Sequence, residues 1–254
     1  MNEKNKFFRL LDCTLRDGGY YNNWDFTKSD IQKYLNAIST TGIKFVELGF
    51  RFFENKKIKG LTAYTSDSLI RMLSVPKNLN LGIMINASDL IQNNQLKKDV
   101  LKKLINKKNI TKIKFIRIAC HHNEIFLLKN CFNYLKEMRV KVFINIMQIS
   151  EIDFHVFKKI LNFLNKNQIK SIYLADSLGC LDSKKLKKII IFLKKNWKGE
   201  TGLHAHNNLN LAFSNSKIAI KNGFEWIDST VTGMGRGPGN TRTEDILNFN
   251  TNTN

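Results

Sequence analysis

The stretch EWIDSTVTGMGRGPGN, residues 225–240, opens as an apolar strand and runs out into a loop with glycine at 233, 235, 237 and 239. Its first half, EWIDSTVTG (225–233), is the last of eight runs that read as strands by continuous or alternating apolar character. Seven precede it: FFRLLDCT (7–14), KFVELGF (44–50), LNLGIMIN (79–86), IKFIRIAC (113–120), KVFINIMQ (141–148), SIYLADS (171–177) and ETGLHAHN (200–207). They recur every 25 to 37 residues with helical patterns between them. One such pattern is TKSDIQKYLNAISTTG (27–42), where Thr27 and Asp30 form an expected capping pair and Gly42 an expected stop. Strands that alternate with helices run parallel, and an eighth unit favours a closed (β/α)8 or TIM barrel over an open doubly wound sheet. Only two prolines occur, Pro76 and Pro238, and no Pro/Ser-rich linker divides the chain, so residues 1–254 read as one domain. The closing segment, TRTEDILNFNTNTN, has material for about two helical turns. A last helix this short or truncated would leave apolar barrel surface uncovered, which predicts association with a partner or a second copy.

The bulk numbers fit a single large core, since 43% of the 254 residues are hydrophobic. The net charge of +20 raises the question of a nucleic-acid partner. The lysines, however, cluster in LKKDVLKKLINKKNITKIK and KKLKKIIIFLKK at helical spacing against Leu and Ile, which assigns them to solvated helix faces rather than a specific nucleic-acid site. Cys13, Cys120, Cys131 and Cys180 are scattered without a CxxC pair, so reduced thiols are expected rather than a disulfide framework or a zinc ribbon. The N-terminus has no apolar run suited to a signal peptide, and the longest runs, such as IIIFL at 189–193, are too short for a bilayer. A cytoplasmic protein with no membrane association is the expectation.

In a parallel barrel the active face lies at the C-terminal strand ends. The unusual polar residues fall there: Arg16 and Asp17 after the first strand, Glu47 in the second, Asp176 and Ser177 closing the sixth, His204 and His206 in the seventh, Arg236 and Asn240 after the eighth. Residues i and i+2 of a strand share a face, so His204 and His206 present two imidazoles to one point. Asp17, delivered from the opposite side of the same ring because the first strand closes against the eighth, adds a carboxylate. Two imidazoles, a carboxylate and open positions suit a divalent ion such as Mn²⁺, Mg²⁺ or Zn²⁺. The adjacent His121 and His122 cannot both point inward and read as surface or supporting residues; His155 falls on a helix.

These residues carry a resemblance. DCTLRDGG (12–19), VELG (46–49), LADS (174–177), GLHAHNNLNLAFSNSKIAI (202–220) and DSTVTGMGRGPGN (228–240) resemble the DRE-TIM metallolyases, nearest to the pyruvate aldolases of the 4-hydroxy-2-oxovalerate aldolase type. That superfamily also holds 3-hydroxy-3-methylglutaryl-CoA lyase and the isopropylmalate and homocitrate synthases. The resemblance implies a divalent metal on Asp17, His204 and His206, with Asn240 matching a metal-binding position of the lyase branch. Mn²⁺ is the favoured ion, with Mg²⁺, Co²⁺ and Zn²⁺ as alternatives. It further implies Arg16 stabilising the enolate, Glu47 holding the site, and Arg16, Asp17, Ser177 and His204 contacting a 2-oxo acid substrate.

Two departures stand out. Where the aldolases place a histidine base, three residues after the metal-binding aspartate, this chain has Tyr20. An ordinary phenol titrates near pH 10. The base must therefore be a depressed Tyr20, Tyr21, one of His121 and His122, or metal-bound hydroxide. The aldolases also carry a C-terminal extension that docks onto an aldehyde dehydrogenase; this chain ends before it, which argues against that partnership. The leading expectation is a metal-dependent carbon–carbon lyase that makes or breaks a 4-hydroxy-2-oxo acid through a pyruvate enolate. A Claisen-type acyl-CoA enzyme of the same superfamily and a barrel that has lost catalysis and serves as a scaffold are the alternatives.

Overall fold

The computed structural model describes residues 8–53, 59–106, 110 and 112–251; Phe7, the head of the first expected strand, and residues 252–254 lie outside them. The barrel strands are β1 (Arg9–Asp12), β2 (Phe45–Phe50), β3 (Asn80–Asn86), β4 (Ile113–Cys120), β5 (Lys141–Ile146), β6 (Ser171–Asp176), β7 (Glu200–Ala205) and β8 (Trp226–Ser229). All pair in parallel, and β1 closes the ring against β8 through Arg9↔Trp226, Leu10↔Ile227, Leu11↔Asp228 and Asp12↔Ser229. The expected TIM barrel is therefore observed.

The helices that follow the strands in turn are α1 (Lys28–Ile38), α2 (Asp67–Met72), α3 (Lys98–Leu104), α4 (Lys129–Glu137), α5 (Phe154–Lys166), α6 (Ser183–Asn196), α7 (Ala212–Lys221) and α8 (Thr243–Thr251). Local chemistry starts them where the sequence suggests. Thr27 and Asp30 form a reciprocal capping box at α1, and the Asp153 and Asp182 side chains accept backbone N–H groups at the starts of α5 and α6. α6 buries Leu186, Ile189, Ile190 and Leu193 and leaves Lys184, Lys187, Lys188, Lys194 and Lys195 in solvent, which is the solvated-face arrangement read from its sequence. α8 is short, as expected, and it is tied to the first strand: Thr243 Oγ1 donates to Asp12 Oδ2 at 2.7 Å, and Ile246 is fully buried.

β1 and β8 are shorter than their apolar runs. Asp12 Oδ1 accepts the Thr14 N–H at 2.9 Å and turns the chain into a one-turn helix, Thr14–Asp17. Beyond Ser229 the chain bends instead of extending the ladder, because the Thr230 N–H donates to the Thr241 carbonyl at 3.0 Å and the Thr230 carbonyl accepts the Thr243 N–H at 2.9 Å. A two-stranded hairpin, Ile91–Gln92 with Gln95–Leu96, was not anticipated. The four cysteines are free, and no described helix is long and apolar enough to cross a membrane.

The lumen is layered by strand parity. One layer is aromatic, with Phe115, Phe143, Tyr173 and Trp226 packed on Leu11 and Phe45. Gly82 makes room for it: a Cβ there would stand 1.9 Å from the Phe115 ring. Two residues further along the strands, the same inward parity brings Glu47, Arg117, Asn145, His204 and Asp228 into a second, charged layer. The candidate site rests on that layer.

Candidate functional site

Arg16 and Asp17 occupy the last turn of the short helix after β1, which aims both side chains over the lumen. Trp24 fixes that turn by donating its indole N–H to the Arg16 carbonyl at 2.7 Å. The Arg16 guanidinium pairs with Asp17 Oδ1 and, through Nε, with Glu47 Oε2 at 2.7 Å; its Nη2 is buried without a protein partner. Asp17 Oδ2 lies 3.1 Å from His204 Nε2 and accepts from Asn240 Nδ2 at 2.7 Å. The rings of His204 and His206 meet edge to face with centroids 5.0 Å apart.

Asp17, His204 and His206 each offer a ligand atom within 4.8 Å of the others, and all three residues are buried. Asn240 bridges to His206 through the backbone, and its side-chain Oδ1 is buried with no partner. Exchanging the amide's ends, which leaves its shape unchanged, would turn that oxygen toward the cluster. Two imidazoles, one carboxylate and a spare amide oxygen fit a divalent ion with positions open to a ligand. His204 also stands with Nδ1 2.9 Å from Asp228 Oδ2, so a carboxylate fixes the ring from behind and leaves Nε2 for the cluster.

The electrostatics follow from burial and pairing. Burial alone would raise the Asp17 pKa, but the Arg16 guanidinium, with help from His204, holds it far below the usual carboxylate range. For His204 burial acts downward and is outweighed by Asp17, with further support from hydrogen bonds to Asp17 and Asp228, so its pKa is raised. His206, desolvated and facing His204, is pushed down to about 3 and is neutral at any ordinary pH. Tyr20 lines the same cavity, and desolvation, reinforced by the Asp17 charge, raises its phenol above the ordinary value. The depressed Tyr20 named among the candidate bases is thus not found.

The remaining expected residues separate. Ser177 lines the cavity, and its Oγ accepts the Gln148 N–H at 3.2 Å. Asp176 is turned to its own loop, where it accepts the Cys180 and Leu181 N–H groups. His121 reaches the cavity while His122 is exposed, and Tyr21 is 62% exposed. Arg236 spans the mouth and donates to the Ser177 carbonyl.

Two residues were missed. Arg117, fully buried on β4, pairs with Asp228 Oδ2 at 2.7 Å, lies 3.5 Å from Glu47 Oε1, donates to Asn145 Oδ1 at 2.8 Å and stacks 4.0 Å over the Tyr173 ring. It joins Glu47, and through it Arg16, to Asp228 and so to His204. The signal was present: an arginine at inward parity in the apolar run IKFIRIAC, and an aspartate at inward parity in EWIDST.

Comparison with known proteins finds similarity along most of the chain. The HMGL-like family model matches residues 7–251. An oxaloacetate decarboxylase of Mycobacterium tuberculosis is 25% identical over 241 residues, covering 94% of this chain and 68% of that protein. A 4-hydroxy-2-oxovalerate aldolase of Geobacillus genomosp. 3 is 25% identical over 244 residues, covering 94% of this chain and 69% of that protein. Among solved structures, the N-terminal domain of a candidate aldolase from Bacteroides vulgatus superposes with a TM-score of 0.84 at 30% identity, covering 97% of this chain and 80% of that one.

Proposed function

The chain belongs to the HMGL-like family of DRE-TIM metallolyases, and from that premise we propose that it is a divalent-metal-dependent carbon–carbon lyase acting on 4-hydroxy-2-oxo acids through a pyruvate enolate. The observation that carries this reading is the buried convergence of Asp17, His204 and His206 beside Arg16. Mn²⁺ is the ion proposed for it. A bound divalent ion supplies a Lewis acid to the 2-oxo acid's oxygens.

In the reaction the C3–C4 bond breaks and its electron pair becomes the enolate of pyruvate. C4 leaves as an aldehyde once its hydroxyl has passed its proton to a base, the role we assign to His121 on the cavity wall, and a proton returns to C3. Arg16 is suited to the developing enolate oxygen, because its Nη2 is a buried donor without a protein acceptor. Glu47 and Asp17 hold that guanidinium from two sides and remove its freedom to swing. Asp228 keeps His204 oriented, and Ser177 and Tyr20 border the space where the rest of the substrate lies. Tyr20, protonated, offers a hydrogen bond to the departing oxygen rather than a base.

Stripping the purified protein with EDTA, restoring Mn²⁺ and following pyruvate release from 4-hydroxy-2-oxo acids tests the reading. Metal-dependent release that Asp17→Asn abolishes is expected. Wild-type protein that releases no pyruvate from any such acid, with or without metal, would sink it.

The raised Tyr20 phenol favours a second reading as well. Decarboxylation of oxaloacetate, the activity named for the Mycobacterium tuberculosis relative, reaches the same enolate by loss of CO₂ and needs no base on a hydroxyl. Oxaloacetate tested beside the hydroxy acids separates the two.

A further inference from the structure

We infer that Arg236 makes this site selective for 2-oxo acids that carry a second carboxylate at the end remote from the 2-oxo group; the inference rests on the lyase reading above. The cavity at the barrel mouth has a volume of about 280 Å³ and contains two guanidiniums among its lining residues, those of Arg16 and Arg236. Their situations differ. Arg16 is buried and already paired with two carboxylates, Asp17 and Glu47. Arg236 sits at the exposed rim, and the partner it holds is the neutral carbonyl of Ser177. Among the described residues that line the cavity, Asp17 is the one carboxylate, and it belongs to Arg16 and His204. The charge on Arg236 is therefore available to a ligand.

Its position is set by backbone. Gly233, Gly237 and Gly239 adopt positive φ, which folds the loop back on itself so that Asn240 N donates to the Gly233 carbonyl at 3.0 Å and Asn207 N to the Gly239 carbonyl at 2.9 Å. From that braced loop Arg236 reaches the Ser177 carbonyl in the loop after β6, two strands along the ring from β8, whereas Arg16 follows β1 on the other flank of β8. A 2-oxo acid whose 2-oxo carboxylate end lies against Arg16 and the His204 cluster projects its other end toward this rim. Beside apolar Phe50, Met84, Met147 and Leu178 the described lining carries polar groups such as Asn86, His121 and Gln148, but Arg236 is its one guanidinium not already paired with a carboxylate. A planar guanidinium on a carboxylate forms a two-pronged contact, and a dianion gains it where a methyl-ended analogue does not.

Two matched pairs of ligands test this, each pair equal in chain length and differing only in a terminal carboxylate against a methyl. For binding, calorimetry of the Mn²⁺-loaded protein compares 2-oxoglutarate with 2-oxopentanoate, neither of which has a 4-hydroxyl to cleave. For turnover, kcat/KM is compared between 4-hydroxy-2-oxopentanedioate and 4-hydroxy-2-oxopentanoate. Wild type should prefer the dianion at least tenfold in both assays. Arg236→Ala should erase most of that ratio, chiefly by raising the Kd and KM of the dianion, and Arg236→Lys should keep part of it. Equal affinity for the pair in wild type overturns the inference. So does an Arg236→Ala variant that weakens both ligands alike, because Arg236 would then be a latch between loops. Selective binding of 2-oxoglutarate without turnover of any acid would uphold the ligand class while the lyase reading falls.

Discussion

Asp228 offers the sharpest test of how the charged layer serves the site. Its carboxylate is buried between Arg117 Nη1 at 2.7 Å and His204 Nδ1 at 2.9 Å. Asp228→Asn keeps the shape and removes the charge that orients the imidazole. Losing an outer carboxylate of this kind lowers metal affinity by about 10- to 100-fold, or roughly 1.4–2.8 kcal/mol. Asp228→Ala goes further and strips a buried guanidinium of its closest anion, which costs about 3–5 kcal/mol of stability. For a chain of this length each kcal/mol lowers Tm by about 2–4 °C, so a drop of roughly 10 °C is expected. Free Mn²⁺ followed by paramagnetic resonance gives the affinity, and thermal unfolding in EDTA gives the stability apart from the metal. If Asp228→Asn binds Mn²⁺ within twofold of wild type, and Asp228→Ala melts as wild type does, the charged layer neither orients His204 nor supports the barrel.

Other outcomes are expected from the same geometry. Tyr20→Phe should lower kcat by less than tenfold, since a phenol with a raised pKa is no base; a loss of about 10²–10⁴ would identify it as the proton acceptor after all. His206, buried and beside His204, has its pKa pushed down to about 3, so the folded protein refuses a proton that the unfolded chain takes up near pH 6.5. Stability of the metal-free protein from this group is full above that pH and is lost as pH falls toward 3. His206→Gln should therefore flatten the acid limb of a pH–stability curve by up to about 1.4 kcal/mol per pH unit, and an unchanged slope would refute the burial argument. Gly49→Ala would set a Cβ 2.0 Å from the Thr62 carbonyl oxygen, a backbone atom that cannot swing aside, and should destabilise by at least about 1–3 kcal/mol in chemical denaturation.

The repeating units were legible because parallel strands buried on both faces are near-continuous apolar runs, and because helix caps such as Thr27 with Asp30 are local signals. The convergence of Asp17 with His204 and His206 was also legible, since closure of the ring brings the first strand beside the eighth and period two puts both histidines on one face. What escaped was the layer beneath. Arg117 sits between the apolar Ile116 and Ile118, and its partners Glu47 and Asp228 come from β2 and β8, so no short window of sequence holds more than one of the three. The ends of β1 and β8 were misjudged because contacts beyond the apolar runs stop the ladder there: Asp12 accepts the Thr14 N–H, and Thr230 pairs through its backbone with Thr241 and Thr243.

The aromatic layer has a consequence for traffic. Phe115, Phe143, Tyr173 and Trp226 plug the lumen below the charged residues, so the site is a blind well with one door. Whatever is held deepest, against Asp17 and His204, can depart only after anything lodged nearer Tyr20 and Arg236 has cleared the way. Under the proposed lyase reaction the outer fragment would therefore leave first and the enolate-derived piece last, an order imposed by the shape of the vessel rather than by the relative grip on either fragment.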